Sequence, residues 1–494
     1  MAKSAKILGI DVGTGATRAL LIDESGRVLD SCTADHEPFA SSQIGWAEQE
    51  PLDWWRACCE AVQRVLAKTS KNELAAVGLS GQMHGAVLLD SDGNPLRPAL
   101  IWCDLRTAEE ARELGEQVGA NQIIEWTCNP ALTNFTVTKL LWVRKHEPKL
   151  YDKFQMLQLP KDYVRFRLTG EYAMDMADAS GTLLLDVAHR RWSGEMAKAA
   201  NLDTSVLPKL FESCEVCGWV SKQGAGATGL LAGTPVVAGA GDQAAGAVGL
   251  GVVAPGAVHA TIGTSGVVFA STDRPAMDPH GRLHTFCHAV PGRWHVMGVT
   301  QAAGLSLRWF RDQFGGSYNA LTNEAATAPA GCDGLMWTPY LMGERTPHLD
   351  PDARAALVGL TASHTRAHIV RAILEGVAFS LRDTFSIFEE MQVPVRNIRL
   401  GGGGARSTLW RQIQADTYGH PVEIVEAEEG AAYGAALLAG VGAGVWTSVD
   451  EACSQAVRVK TVVEPNAATS ALMQRQYPQF CRIYPALKSI RSSS

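Results

Sequence analysis

Two short segments of the chain join apolar strands through a glycine-threonine turn. The first reads ILGIDVGTGATRALLI and centres on Gly13 and Thr14, and the second reads HATIGTSGVVFA and centres on Gly263 and Thr264. Such a turn exposes backbone N–H groups and a threonine hydroxyl, which both suit phosphate oxygens. A single Gly-Thr turn between strands is common, but one in each half of the chain predicts two related lobes that close on one polyphosphate.

An acidic residue, Asp11, ends the apolar strand that leads into the first turn. A carboxylate at this point could help to hold Mg²⁺ near phosphates, while the N–H groups of the turn contact a phosphoryl group. Arg18 could balance the charge of Asp11 or reach a phosphate. The alternative is that Asp11 only caps the turn. The second Gly-Thr turn favours the phosphate-binding interpretation.

A second acidic residue, Asp242, lies among small residues in GAGDQAAG. Its neighbours leave the carboxylate unshielded, so it could approach a substrate hydroxyl and accept its proton as a general base. The alternative is an N-cap for the helix that begins at AAGAVGLG, a position where Asp is preferred. The local sequence favours the cap, and both roles are compatible.

The loop Gly81–Gln82–Met83–His84–Gly85 places polar groups between two apolar strands. Gln82 and His84 could hydrogen-bond a polyol, and Met83 could cover its carbon face. The alternative for His84 is an ordinary surface histidine in a connecting loop. The loop therefore becomes a sugar-site candidate only in combination with the other motifs.

Two further motifs follow predicted strands. Asp104 and Arg106 end ALIWCDLR. They are stronger candidates for a ligand site because ligands of α/β sheets bind at the carboxyl ends of strands. The run Gly401–Gly404 follows NIRL, and bare backbone there would let a flat adenine ring lie against it. The alternative for these glycines is a tight turn between a strand and a helix.

Three other patterns carry less weight. The motif at residues 224–229 fits G-x-G-x-x-G, but no clean buried strand leads into it, which argues against a dinucleotide site. His280, His284, Cys287, His288 and His295 cluster in sequence, but their strand-like alternation and spacing do not match a zinc site. The dipeptide Gly-Lys occurs nowhere in the chain, which excludes a Walker A loop.

Composition limits the class of protein. The 494 residues are too many for one core and predict two domains. A net charge of −7 argues against a nucleic-acid partner. The start of the chain passes directly into a strand and no long apolar run appears, so we expect neither a secretory signal nor a membrane span, and a cytoplasmic location. The 11 scattered cysteines, including Cys214 and Cys217, are expected to be reduced and structural.

Strand and helix patterns alternate in both halves of the chain, which predicts an α/β fold. The first half should contain a β-hairpin over 5–30, a helix over 51–69, a strand at LAAVGLSGQM, a strand over 99–106, a helix over 107–119, and a strand over 234–239 that passes into a helix after Asp242. The second half should contain a hairpin at AVHATIGTSGVVFAST, a helix over 364–391, a strand at NIRLGGGGARS, a helix at LWRQIQADTYG, a strand at PVEIVE and a closely packed helix at GAAYGAALLAGVG.

Taken together, these motifs resemble the FGGY carbohydrate kinases, and most closely the members that phosphorylate xylulose. The resemblance covers nearly the whole chain and rests on an ordered series of motifs: IDVGTGATR, GLSGQMHGAVLLD, IWCDLR, KLLWVRKHEP, LPKDYVRFRLTGE, AGAGDQAAGAVG, IGTSGV, PYLMGERTPH, and GGGARSTLWRQIQAD with EGAAYGAALLA. It implies two duplicated α/β lobes of the actin-like ATPase (ribonuclease H-like) kind around a deep cleft. The sugar-binding lobe would span residues 1–250, the ATP-binding lobe 251–485, and a frayed tail 486–494.

The resemblance also implies roles for individual residues. Asp242 would be the base that deprotonates the sugar hydroxyl, and Asp11 and Asp242 would hold Mg²⁺ through water. The remaining assignments are sugar contacts for Met83, His84, Asp104 and Gln243, phosphate contacts for Gly13, Thr14, Arg18, Gly263 and Thr264, and adenosine contacts for Gly402 and Gly403. Asn134 departs from the family pattern, which has a small or aromatic residue there, and is expected to lie outside the site.

The implied reaction is the transfer of the γ-phosphoryl group of ATP to D-xylulose, giving D-xylulose 5-phosphate. A family member acting on another ketose or polyol, such as a ribulose, is the alternative. An actin-like nucleotide switch is less favoured, since it would not need the polar GQMHG loop. The resemblance implies a small ketose substrate, ATP and Mg²⁺, and it is compatible with a homodimer.

Overall fold

The computed structural model describes residues 5–67, 73–426 and 430–491. Strands and helices are numbered in chain order. The first half contains β1 (Lys6–Val12), β2 (Ala16–Asp23), β3 (Val28–Asp35), β4 (Glu48–Gln49), α1 (Pro51–Leu66), β5 (Leu74–Gly81), β6 (Val87–Leu89), β7 (Ala99–Leu100), α2 (Ala108–Val118), α3 (Ala120–Thr127), α4 (Thr136–His146), α5 (Pro148–Tyr151), β8 (Met156–Gln158), α6 (Pro160–Thr169), β9 (Ala173–Asp175), α7 (Met176–Ser180), β10 (Leu185–Asp186), β11 (Arg191–Trp192), α8 (Gly194–Ala199), β12 (Lys209–Phe211), β13 (Val216–Trp219), α9 (Lys222–Thr228), β14 (Pro235–Val237), β15 (Ala240–Gly241) and α10 (Asp242–Gly249).

The second half continues the numbering. It contains β16 (Ala257–Ile262), β17 (Gly266–Thr272), β18 (His284–Cys287), β19 (Trp294–Thr300), α11 (Gly304–Phe314), α12 (Tyr318–Ala325), β20 (Met336–Thr338), β21 (Ala356–Val358), α13 (Arg366–Glu390), β22 (Asn397–Gly402), α14 (Thr408–Tyr418), β23 (Val422–Val425), α15 (Gly430–Gly442), α16 (Val449–Ala456), β24 (Val459–Val463) and α17 (Ala467–Arg491).

A seven-stranded sheet forms the centre of the first half, in the order β13-β14-β5-β1-β2-β3, with β15 paired to β5. The apolar strand β1 lies in the middle, antiparallel to β2 and parallel to β5. This register sets Asp11 opposite both Arg18 and Ser80. The carboxyl ends of β1 and β5 therefore meet at one edge of the sheet, which is where the predicted site residues lie.

A second seven-stranded sheet, in the order β18-β19-β17-β16-β22-β23-β24, forms the centre of the second half. Strand β16 is antiparallel to β17 and parallel to β22, so it repeats the arrangement of β1 between β2 and β5. In both sheets the Gly-Thr turn joins the central strand to its antiparallel neighbour. The repeated topology confirms the predicted pair of α/β lobes.

Helix α15 packs across from the second half of the chain onto the first sheet. A Cβ built on Gly434 would lie 1.8 Å from the carbonyl oxygen of Ala245 in α10. A Cβ on Gly9 would lie 2.0 Å from the carbonyl oxygen of Ala432, so β1 approaches the helix equally closely. The close packing predicted for GAAYGAALLAGVG is confirmed, and it joins the two halves of the chain through backbone contact.

Some predicted elements differ from the structure. The strand predicted over 99–106 ends at Leu100, because the chain turns there and the N–H of Asp104 donates to the carbonyl oxygen of Ile101. The tail expected to fray after residue 485 instead continues α17 to Arg491. The helix predicted over 51–69 ends at Leu66, and residues 68 and 69 lie outside the described part of the chain.

All 11 cysteines are free. None of the helices in the described ranges combines the length and the apolarity needed to cross a membrane. The segment at residues 224–229 lies mostly within α9, whose first turn is capped by the hydroxyl of Ser221. It does not form the turn between a strand and a helix that a dinucleotide fingerprint requires.

Candidate active site

The first Gly-Thr turn is held by polar side chains from the neighbouring loops. The carbonyl oxygen of Thr14 accepts a hydrogen bond from Nε2 of Gln49 at 2.7 Å, and its hydroxyl lies 3.2 Å from Oε1 of Gln82. Nε2 of Gln82 in turn donates to Oε1 of Gln49 at 2.8 Å. The indole N–H of Trp102 donates to the Thr14 hydroxyl at 3.0 Å. Gln82 therefore orders the turn, and its predicted polyol contact has little support in this geometry.

The second turn is fixed against the start of α11. The carbonyl oxygens of Gly263 and Thr264 accept hydrogen bonds from the N–H groups of Gly304 and Leu305 at 2.8 and 3.1 Å. The N–H of Gly263 donates to the carbonyl oxygen of Ser265 at 2.9 Å. The N-terminal end of a helix adds positive potential to such a turn, which favours an anionic ligand.

Asp11 presents an unsatisfied carboxylate oxygen. Its Oδ1 is buried and has no hydrogen-bond partner among the described residues. Burial raises the pKa of Asp11, while the nearby Ser80 side chain and the charge of Arg18 lower it. A buried carboxylate oxygen without a partner is the type of donor that Mg²⁺ takes, so the residues present fit this ion.

Asp242 is the first residue of α10, directly after β15. The N-cap of that helix is Gly241, so the interpretation of Asp242 as the N-cap is wrong. The carboxylate accepts instead from Nε2 of Gln243 at 3.4 Å. Burial, and next the negative charge of Asp11, raise the pKa of Asp242 to about 7. The fold has thus brought together two acids that lie far apart in the sequence, and one of them has the pKa of a general base at neutral pH.

Met83 and His84 follow β5 and lie beside the peptide that leads into Asp242. A Cβ built on Gly241 would be 2.7 Å from Cγ of Met83. His84 has a left-handed backbone conformation, with φ of 68°, and its Nδ1 lies 2.7 Å from the carbonyl oxygen of Gly181. Only a donor can pair with a carbonyl, so Nδ1 carries the proton and Nε2 accepts. Burial holds the pKa of His84 well below its usual range, so the ring is neutral.

Asn134 lies against His84. Its Nδ2 is 3.4 Å from Nε2 of His84, and the side chain is almost fully buried. The expectation that Asn134 lies outside the site is therefore wrong. The sequence placed it ahead of a helix and far from the GQMHG loop, and only the packing of α4 against that loop brings the two together. A buried amide in an otherwise apolar segment was the one available signal.

Asp104 holds a structural ion pair. Its Oδ2 accepts from the N–H of Ala47 at 2.6 Å and from Arg106 at 2.7 Å, and its Oδ1 accepts from the backbone N–H of Arg106 at 3.0 Å. The guanidinium of Arg106 also stacks 3.6 Å over the ring of Trp46. Because both carboxylate oxygens are already occupied, this geometry does not support the sugar contact expected of Asp104.

Two adjoining cavities lie beside these residues. One, of about 330 Å³, is lined by Asp242, Gln243, Gly402, Gly403 and Arg406, among others. The other, of about 370 Å³, is lined by Gly263, Thr264, Gly403, Arg406 and Trp410, among others. Gly403 and Arg406 line both cavities, so the space beside the acid pair is continuous with the space beside the second Gly-Thr turn.

Gly402 bends the wall of the first cavity. It has a φ of 73°, and a Cβ there would be 2.6 Å from the carbonyl oxygen of Ile262. Only glycine fits both conditions. The run of glycines therefore leaves bare backbone at the cavity wall, as an adenine ring would require.

The histidines that cluster in sequence pack among phenylalanine rings. The ring of His295 stacks at 4.1 Å on Phe269, and that of His284 stacks at 5.5 Å on Phe286. The described residues include one group of acids with metal-like spacing, formed by Asp162, Asp175 and Asp178. The ammonium of Lys161 lies 2.6, 2.6 and 3.2 Å from their oxygens and occupies the place of a cation.

Comparison with known proteins agrees with this arrangement. Residues 6–249 match the N-terminal domain and residues 258–443 the C-terminal domain of the FGGY family of carbohydrate kinases. The chain is 37% identical over 491 residues to the xylulose kinase of Bacillus subtilis (strain 168), covering 99% of this chain and 98% of that protein. It is 39% identical over 482 residues to the xylulose kinase of Escherichia coli (strain K12), covering 97% of this chain and 99% of that protein.

A solved structure is similar throughout. The crystal structure of a xyloylose kinase from Brucella ovis matches with a TM-score of 0.93 and 36% identity, covering 98% of this chain and all of that one. The chain belongs to the FGGY family of carbohydrate kinases and is an ATP-dependent sugar kinase.

Proposed function

We propose that this kinase transfers the γ-phosphoryl group of ATP to the 5-hydroxyl of D-xylulose, giving ADP and D-xylulose 5-phosphate. The observation that carries the proposal is the position of Asp242. Asp242 lies beside Asp11 and directly after Gly241, which the side chain of Met83 contacts. It also lines the cavity that adjoins the one at the second Gly-Thr turn. Full-length similarity to proteins named xylulose kinase supports the choice of sugar.

Asp242 acts as the general base. Its pKa of about 7 leaves a large fraction of the carboxylate unprotonated at neutral pH, and it makes that carboxylate a stronger base than an exposed aspartate. The carboxylate accepts the proton of the 5-hydroxyl as that oxygen attacks the γ-phosphorus. Gln243 donates to Asp242 and orients it. The attacking hydroxyl oxygen, the γ-phosphorus and the leaving oxygen of ADP must be in line, so positioning supplies much of the rate enhancement.

The nucleotide would lie between the two turns. We assign Gly13, Thr14 and Arg18 in the first lobe, residues 1–250, and Gly263 and Thr264 in the second lobe, residues 251–485, to the phosphates. The adenosine would rest on Gly402 and Gly403. Asp11 and Asp242 would hold Mg²⁺ through water, and this ion would neutralise charge on the phosphates.

The sugar would lie along Met83 and His84. Met83 covers its carbon face. The ring of His84, held by Gly181 and Asn134, packs beside the sugar. Gln243 contacts the hydroxyl end beside Asp242. Closure of the two lobes over the sugar would exclude water, because an open site would transfer the phosphoryl group to water.

The proposal is tested by Asp242→Asn, which keeps the shape of the side chain and removes the base. Loss of a general base should lower kcat for xylulose phosphorylation by at least roughly 10²-fold. ATP binding, measured by calorimetry, should remain. Asp312→Asn, in an exposed position on α11, is the matched control and should retain normal turnover. Unchanged turnover in Asp242→Asn would refute the assignment of the base.

A sugar panel tests the substrate. ADP release should be fastest with D-xylulose and slower with ribulose, other ketoses and polyols, and phosphate should appear on the sugar. ATP hydrolysis without sugar should be slow. A preference for another ketose would replace xylulose within the same mechanism, while fast sugar-independent hydrolysis would favour a nucleotide switch.

A further inference from the structure

Arg345 is a half-buried cation without a bonded partner. It lies in the PYLMGERTPH segment, between β20 and β21. Within residues 5–67, 73–426 and 430–491, its guanidinium makes no hydrogen bond, ion pair or ring contact, although its peptide groups do. A half-buried guanidinium without a protein acceptor gains no compensation for the water it has lost, so a position of this kind needs a reason.

The segment that carries Arg345 is tightly held. Oε1 of Glu344 accepts from the backbone N–H groups of Gln301 and Arg345, each at 2.8 Å. On the other side, the hydroxyl of Thr346 accepts from the N–H of Val299 at 3.1 Å and donates to the carbonyl oxygen of Arg282 at 2.8 Å. The backbone of Arg345 is therefore fixed to the ends of β18 and β19, and its side chain starts from a defined point.

These contacts place Arg345 next to the sugar side of the first lobe. Arg282 is two residues before His284, whose ring lies 5.6 Å from that of Phe135, and Phe135 lies 5.3 Å from His84. Burial lowers the pKa of His84, of His284 and of Lys139, and the charge of Arg345 is a smaller cause that acts in the same direction on all three. The charge that acts on Asp242, in contrast, is that of Asp11. Arg345 thus faces the end of the sugar site that is remote from Asp242.

Among the described residues, the opposite charge that acts most on Arg345 is that of the adjacent Glu344, which forms no ion pair with the guanidinium. Lys139 is a cation or a neutral amine, and His84 and His284 are neutral. Glu344 is the adjacent acid, but burial raises its pKa to about 8, so it is largely protonated at neutral pH. The guanidinium therefore keeps its planar set of donors unpaired on the His84 side of the proposed site, which suits the oxygens of a neutral sugar.

We propose that Arg345 is a specificity-determining residue that donates to the oxygens at the end of the ketose opposite the phosphorylated hydroxyl. In D-xylulose these are the 1-hydroxyl and the carbonyl oxygen at C2, which lie on adjacent carbons and match the fork of a guanidinium. The inference rests on the proposed function and assigns a substrate contact to the second half of the chain. It also gives a reason for the rigid backbone at Arg345, because an anchored segment loses little entropy when the sugar binds.

The test compares Arg345→Met with the unaltered enzyme on two sugars, D-xylulose and 1-deoxy-D-xylulose. Loss of hydrogen bonds from a charged donor should raise KM for D-xylulose roughly 10- to 100-fold, and KM for ATP should change less than about twofold. The unaltered enzyme should discriminate against the 1-deoxy sugar, and Arg345→Met should lose most of that discrimination. Arg345→Lys keeps the charge but not the fork, and should recover only part of it.

Arg354→Met is the matched control, since this arginine is exposed in the same segment. Its sugar discrimination should equal that of the unaltered enzyme. The proposal is overturned if Arg345→Met, folded by circular dichroism, retains both KM for D-xylulose and the full discrimination against the 1-deoxy sugar. It is equally overturned if the variant raises KM for ATP instead. If the unaltered enzyme does not phosphorylate D-xylulose at all, the proposed function fails, and that outcome is separate from the behaviour of the variant.

Discussion

The amide Nδ2 of Asn134 lies 3.4 Å from Nε2 of His84, on the opposite side of the ring from the 2.7 Å contact between Nδ1 and the carbonyl oxygen of Gly181. The imidazole is therefore held at both nitrogens, with the proton on Nδ1. Lys139 is fully buried and donates to the backbone carbonyl oxygens of Asn134 and Thr133, which fixes the turn that carries the amide. The orientation of a proposed sugar ligand thus depends on a residue 50 positions away in the sequence.

We predict that Asn134→Leu weakens sugar binding. The leucine keeps the branched shape of the side chain but removes the donor to Nε2, so His84 can rotate and the sugar loses a ring held in a fixed position. A hydrogen bond of this type contributes about 1 kcal/mol, so KM for xylulose should rise roughly fivefold or more. Steady-state kinetics at saturating ATP measure this change.

The matched control for that prediction is Gln122→Leu, an amide replaced on the exposed face of α3, where its partner is Glu125. It should leave both KM values unchanged. If Asn134→Leu raises KM for ATP as much as KM for xylulose, the effect is a general distortion of the fold and the role assigned to Asn134 is wrong.

The fold could be predicted because its signals are local. The two Gly-Thr turns, the apolar strands on either side and the small residues of α15 each carry their own pattern, and strand alternation sets the rest. The strand predicted over 99–106 was wrong because the apolar pattern of ALIWC continues past Leu100, while the chain turns there. Asp104 stabilises this turn by contacts with Ala47 and Arg106. A hydrogen bond between distant segments leaves no mark in a hydrophobic pattern.

The site was harder to predict, because several of its relationships are tertiary. Sequence alone could propose Asp11 and Asp242 separately, but the raised pKa of Asp242 depends on the two acids being close. Asp104 also follows an apolar run and so looked equivalent to them, yet its carboxylate is paired with the guanidinium of Arg106. Asn134 carried no motif of its own. Which acid is free and which is paired depends on neighbours that only folding brings together.

Gly402 and Gly403 should respond differently to alanine. Gly402 combines a positive φ with a 2.6 Å clash between a Cβ and the carbonyl oxygen of Ile262, so Gly402→Ala should distort the turn. We expect a lower thermal midpoint and a raised KM for ATP. A Cβ on Gly403 would meet that same oxygen at 3.8 Å, an ordinary contact. Gly403→Ala should therefore fold normally and affect only ATP binding.

Nucleotide titration and thermal unfolding of both variants separate these effects. If neither variant changes the affinity for ATP, the adenosine is not bound at these glycines. An equal fall in thermal midpoint for the two variants would contradict the geometric distinction between them.

Buried histidines should make the protein sensitive to acid. Burial lowers the pKa of His259 and His284 to about 3 and that of His288 to about 4. The unfolded chain, with histidine pKa values near about 6.5, then binds more protons than the folded one below that pH. Their stabilising contribution is complete above about pH 6.5 and falls as the pH drops toward about 4, by up to about 1.4 kcal/mol per pH unit for each histidine.

Buried carboxyls oppose this trend, since a raised pKa, such as that of Asp383 at about 7, favours the folded state when the group is protonated. The measurement is therefore a comparison. His288 accepts from the N–H of Val290 and pairs with the carbonyl oxygen of Val252, so His288→Gln should be less stable at pH 7.5. Between pH 7.5 and 5.5, the urea midpoint of His288→Gln should fall less than that of the unaltered protein. Identical losses would contradict the role of His288.

The backbone contact between α15 and α10 should tolerate no side chain. Gly434→Ala would place a methyl group 1.8 Å from the carbonyl oxygen of Ala245, so the two helices must separate. Overpacking of this kind costs about 1–3 kcal/mol of unfolding free energy. Because α15 also contacts β1 beside Asp11, activity should fall together with stability.

Gly115 provides the opposite case on the same physical grounds. It lies inside α2, where a Cβ would meet nothing within 4 Å. Gly115→Ala should stabilise the protein by about 0.5–1 kcal/mol, because alanine loses less backbone entropy in a helix. Thermal unfolding of the two variants side by side distinguishes packing from helix propensity. If Gly434→Ala were also stabilising, α15 could not be in backbone contact with α10, and the path by which this helix joins the two halves of the chain would have to be redrawn.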